Sequence, residues 1–97
     1  MSFTLRFTPE AKEILKGLDT PGTAVRLKRV RKAIGLLQMD PFYPSLQSHK
    51  YSSMKGTKGE EVWDSYVENH TPAAWRIFWH YGPGSDKLTI LTITPHP

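Results

Sequence analysis

The chain has no cysteine among its 97 residues, which excludes disulfide bridges and thiolate metal sites and makes a reducing cytoplasm the expected setting. It has no apolar run approaching the roughly 20 residues that span a bilayer. The opening Met1-Ser2-Phe3-Thr4-Leu5-Arg6-Phe7 interrupts each apolar residue with a polar one, so no signal peptide is expected. There is no phosphate-binding glycine loop, because Gly82-Pro83-Gly84 reads as a hairpin turn. The 4 histidines show no close spacing of metal-ligand type. Asn69-His70-Thr71 has the form of a glycosylation sequon without a secretory context, and reads as a turn. No internal repeat and no low-complexity segment is present.

What is there suits a folded globule. Apolar residues make up 38% of the chain and aromatics 11%, enough for one core and one domain spanning residues 1–97. The net charge is +4, which favours an anionic partner. The excess lies in residues 1–50, where nine Lys/Arg stand against four Asp/Glu; residues 51–97 carry four against five. Five of these cations, Arg26, Lys28, Arg29, Arg31 and Lys32, fall within seven residues with no acid among them. Such a run is a solvated helix face first, and a contact for RNA or an acidic protein segment second. An anionic membrane fits poorly, because the adjoining apolar stripe has no aromatic anchors.

Phe3 to Phe7 alternates at the period of a half-buried strand. Thr8-Pro9 then has the form of a helix start, with Thr8 as N-cap and Pro9 at the first position. Ala11, Ile14, Leu15 and Leu18 follow on one helical face. A second helix is predicted over 21–38, with Leu27, Val30, Ile34 and Leu37 as its buried stripe, stopped at Asp40-Pro41. From Phe42 to Glu60 the periodicity is lost and a long loop is predicted. Strands are expected over 61–68, 74–81 and 88–94. In the middle one, a period of two puts Trp75, Ile77, Trp79 and Tyr81 on one side and Arg76, Phe78 and His80 on the other. The order β-α-α-β-β-β implies an α+β domain, a helical hairpin packed on a mainly antiparallel four-stranded sheet.

That order resembles the RelE/ParE superfamily of bacterial type II toxins over nearly the whole chain. Asp40-Pro41, Pro44-Ser45-Leu46 and His49-Lys50 are similar to the family's link from helix to sheet, and Gly59-Glu60-Glu61-Val62-Trp63 to the opening of its next strand. Trp75-Arg76-Ile77 resembles its YRI/YRL strand, whose arginine recurs in the active site. Leu91-Thr92-Ile93-Thr94-Pro95-His96 resembles its last strand, which often ends at a histidine. The resemblance implies a toxin held by a cognate antitoxin protein. RelE-like members cut mRNA on the ribosome without metal or cofactor, and ParE-like members inhibit DNA gyrase. A catalytically degenerate relative that binds only its antitoxin or RNA is the third reading.

Metal-free RNA cleavage needs a deprotonated 2′-hydroxyl, a stabilised pentavalent phosphate and a protonated leaving oxygen. Arg76 is the first candidate, since its guanidinium grips a phosphate with paired donors at any relevant pH. Read from residues alone, it is an exposed strand arginine paired with Asp64 or Glu68; the family match raises it to catalysis. His96 matches the family's terminal histidine, but Pro97 stands where a tyrosine is common, and a frayed end is the competing reading. Tyr66 and Asp64 stand where RelE places lysines. Tyr66 would stack on a base or donate a proton, or simply pack. An aspartate there repels phosphate unless it serves as a base. Lys50, Lys55 and Lys58, with His49 beside them, His80, and Arg29 and Lys32 of the second helix are candidates for nucleic-acid contact.

Overall fold

The computed structural model describes residues 2–68 and 74–95. The alternating start forms β1, Thr4–Phe7, with Leu5 and Phe7 turned toward the core. Thr8 is extended, its Oγ1 accepts from the Ala11 N–H at 3.1 Å, and Pro9 takes the first helical position of α1, Pro9–Gly17. The same Thr8 hydroxyl donates to the Leu91 carbonyl at 2.6 Å, tying the helix start to a distant strand. A 3-10 turn at Pro21–Thr23 leads into α2, Ala24–Met39. Leu27, Val30, Ala33 and Leu37 are its buried residues, while Ile34 is half-buried at the edge of the stripe. Asp40 ends α2 in extended conformation ahead of Pro41, as the sequence predicts.

The sheet corrects the four-stranded expectation. It has five strands in the order β1-β5-β4-β3-β2, with β1 parallel to β5 and the other pairs antiparallel. The added strand is β2, His49–Lys55, inside the stretch predicted as a loop; a 3-10 turn at Pro44–Leu46 precedes it. This strand lies at the sheet edge, is largely exposed, and breaks register between Lys50, opposite Trp63, and Lys55, opposite Glu61. An edge strand with a bulge shows no period of two, so its pattern was absent from the sequence. The remaining strands are β3, Glu61–Tyr66, β4, Trp75–Tyr81, and β5, Lys87–Pro95.

The core lies between the helices and one face of this sheet. Ala11, Leu27, Val30, Ala33 and Leu37 meet Ile77, Trp79, Leu88, Ile90 and Ile93. Ile90 and Ile93 are three apart and both buried, because β5 carries a bulge: Trp79 pairs with Ile90 and Phe78 with Thr92, leaving Leu91 as the extra residue. Trp79 stacks on Trp63 at 5.9 Å and donates its indole N–H to Ser65 Oγ at 2.8 Å. Ser65 in turn bonds Ser48, which bonds the Pro41 carbonyl, so a buried polar chain links α2's exit to the sheet. Among the described residues no helix is long and apolar enough to cross a membrane.

Candidate functional site

The sheet face away from the helices is also buried. Arg76, Phe78 and His80 of β4 occupy it, as the period of two predicts, beside Val62, Asp64 and Tyr66 of β3. From the irregular part of β2, Tyr51 reaches this face and sets its ring on Phe78 with centroids 4.9 Å apart.

At one end, Arg76 donates from Nη1 to Asp64 Oδ2 at 2.6 Å, and its guanidinium lies over the Tyr66 ring, 3.9 Å from the centroid. Arg76 is 7% exposed and Asp64 1%. The sequence expected an arginine paired with Asp64 or Glu68 on the surface; Asp64 is the partner, and the pair is buried. The half-exposed His49 sets Nε2 at 3.4 Å from the same Asp64 oxygen, with Nδ1 at 2.9 Å from the Gln47 carbonyl, so both ring nitrogens face acceptors. Gln47 supplies that carbonyl from the left-handed region, φ 46°. Asp64 Oδ1 and Arg76 Nε have no hydrogen-bond partner among the described residues. Two unsatisfied buried polar atoms cost stability, and strained or unpaired groups of this kind concentrate at functional sites.

At the other end, His80 is buried with Nδ1 2.7 Å from the Tyr81 carbonyl and Nε2 4.0 Å from Glu60 Oε2. Glu60 is held below the usual carboxylate range, chiefly by its own backbone N–H and then by that of Lys58, which donates to Oε1 at 2.9 Å.

The other cations called from sequence are dispersed. Lys50 and Lys55 belong to β2 rather than a loop, and both reach Glu61, at 4.0 and 3.2 Å. Lys50 also lies 5.8 Å from the Trp63 ring. Arg29 of α2 pairs with Glu68 at 2.7 Å; with Lys32 it borders a cavity of about 230 Å³ that Tyr66 also lines. His96 lies outside the described residues. The site thus joins Arg76 and Tyr66 and adds Asp64 and His49, while Lys50, Lys55, Arg29 and Lys32 stand apart. Asp64 was legible as the residue two before Tyr66, which pairs with Arg76. His49 was singled out only as a nucleic-acid contact beside the loop lysines; its place beside Asp64 was not legible, because nothing marked its segment as a strand. Among the described residues no three His, Asp or Glu side chains are grouped to hold a metal ion.

No family model matches the chain, and no curated protein matches its sequence. Its fold matches solved structures end to end. A chain of the archaeal RelE–RelB complex from Pyrococcus horikoshii OT3 superposes with a TM-score of 0.67 at 14% identity, over 98% of this chain and 96% of that one. The YoeB/ParE toxin from Agrobacterium tumefaciens gives 0.69 at 15% identity, over 97% and 99%. The YoeB dimer from Staphylococcus aureus gives 0.67 at 11% identity, over 100% of both chains. The architecture these structures share is two helices on a five-stranded mixed sheet.

Proposed function

We propose that this chain, which has the fold of RelE- and YoeB-type toxins, is the toxin of a type II toxin–antitoxin module and cuts mRNA on the ribosome. The observation that carries the proposal is the convergence of Arg76, Asp64, Tyr66 and His49 on one sheet face within a fold matched over its whole length. In this reading Arg76 supplies positive charge to the pentavalent phosphate. Asp64 takes the 2′-hydroxyl proton through Oδ1, the oxygen without a partner among the described residues, and His49, facing Oδ2, positions that carboxylate. Tyr66 stacks on a base or protonates the leaving oxygen. An entering phosphate competes with Asp64 for the guanidinium, which makes the buried pair a resting state. The solved RelE–RelB complex supports an antitoxin partner, and the absence of cysteine supports a cytoplasmic setting.

The same pair favours a second reading. A guanidinium neutralised by a carboxylate and buried is what a non-enzymatic relative would keep for structure, binding its antitoxin or RNA without cutting. Induced expression in growing bacteria separates the readings. The nuclease reading expects translation to stop, mRNA to be cut within translated codons, and growth to return with Tyr66→Phe or Arg76→Lys in folded protein. An SOS response with translation intact assigns gyrase as target. No toxicity assigns the non-enzymatic relative.

A further inference from the structure

A second cleft, of about 380 Å³, opens on the same sheet face at its far end from the Arg76–Asp64 pair. Its floor is a row of three side chains in register across three strands: Arg6 of β1 opposite Thr89 of β5, and Thr89 opposite His80 of β4. Its wall is the turn between β2 and β3, which brings Thr57, Lys58 and Glu60 over the row. That turn is tightly built. Gly56 donates to the Glu60 carbonyl, Gly59 donates to Gly56 from φ +83°, and a Cβ on Gly56 would strike the Glu60 carboxylate. The turn therefore fixes Glu60 beside the buried imidazole. A carbonyl only accepts, so His80 Nδ1 must be the donor to Tyr81, which leaves Nε2 as the nitrogen facing Glu60 and the cleft.

Arg6 and Lys58 are both exposed, and no ion pair to either is formed among the described residues. This sets them apart from Arg29, Lys50 and Lys55, each held by a glutamate. Two exposed cations without an ion pair among the described residues border one cleft and favour an anion there, while the Thr89 hydroxyl is spent on the Gly82 carbonyl at 2.8 Å and one carboxylate, Glu60, opposes them. We propose that this cleft binds a backbone phosphodiester of a single-stranded RNA, with Arg6 and Lys58 as the cationic clamp and Glu60 as a brake on affinity. The proposal rests on the reading of the chain as an RNA-acting protein, but not on cleavage.

The test is fluorescence anisotropy of the full chain with a short single-stranded RNA carrying 2′-O-methyl riboses, which no 2′-hydroxyl chemistry can cut. Arg6→Gln and Lys58→Gln should each weaken binding roughly tenfold at low salt and flatten the dependence of log affinity on log salt by about 0.7. Glu60→Gln should tighten binding several-fold. Lys16→Gln, at the far end of α1, should do neither. Both cleft variants behaving like Lys16→Gln, or Glu60→Gln weakening binding, overturns the proposal. Competition by inorganic phosphate beyond that of chloride at equal ionic strength assigns the cleft to a free anion and overturns the RNA assignment. Because the probe is uncuttable, a chain that never cleaves mRNA can still meet these expectations, and one that cleaves can still fail them.

Discussion

Replacing Arg76 by alanine should cost the fold about 3–5 kcal/mol, whatever it does to activity. The figure follows from where the charge partner sits. Asp64 is 1% exposed, and its Oδ2 is held by Arg76 at 2.6 Å, with only His49 as a second, longer contact at 3.4 Å. Its Oδ1 already lacks a partner among the described residues. Truncating Arg76 strands a desolvated carboxylate and removes the cation from the Tyr66 ring. A domain of this size has a total stability of about 5–15 kcal/mol, so the loss is a large share of it. At about 4–8 °C per kcal/mol, Tm should fall by at least about 12 °C. Replacing both partners with apolar residues, Arg76→Met with Asp64→Leu, should recover most of the loss, because no charge is then left buried. Urea unfolding followed by circular dichroism, run as a double-mutant cycle, measures both quantities. A single-variant loss below about 1 kcal/mol would show the pair to be screened like a surface bridge and refute the burial argument. It also follows that a growth test with Arg76→Ala confounds catalysis with folding, which is why Arg76→Lys is the variant to use.

Ser65→Ala should cost about 1–3 kcal/mol in the same unfolding assay, because it leaves the buried Trp79 indole N–H and the Ser48 hydroxyl short of a partner. Thr8→Ala should cost about 1–2 kcal/mol, since one hydroxyl both caps α1 and ties it to β5. The lowered Glu60 carboxyl stabilises the fold above its unfolded value and loses that contribution as pH falls through the lower folded one. The Tm difference between the wild type and Glu60→Gln should therefore be present at neutral pH and shrink as pH falls below the ordinary glutamate value, about 4.3, toward the lower folded one; a difference undiminished in acid would contradict it.

Local signals carried most of the architecture. Thr8-Pro9 announced α1, Asp40-Pro41 closed α2, and the alternation around Arg76 put Ile77 and Trp79 on the core side. Each depends on residues adjacent in sequence. What escaped depends on residues that meet only in the fold. β2 has no period of two because it is an exposed, bulged edge, and with it went His49 beside Asp64 and Tyr51 over Phe78. Arg76 was expected on the surface for the same reason: the segment that sets Tyr51 against its face was read as a loop. Asp64 and Glu68 were both open as partners of Arg76 in the sequence, and choosing Asp64 and burying the pair needed the register of β3 against β4.

Defined mRNA in a reconstituted translation reaction tests the central claim most directly. With purified chain added, the account predicts cuts inside the codon being read, present only when ribosomes are translating and absent with Tyr66→Phe or Arg76→Lys of native stability. Intact mRNA in the presence of stalled or active ribosomes, with folded wild-type chain, would contradict it.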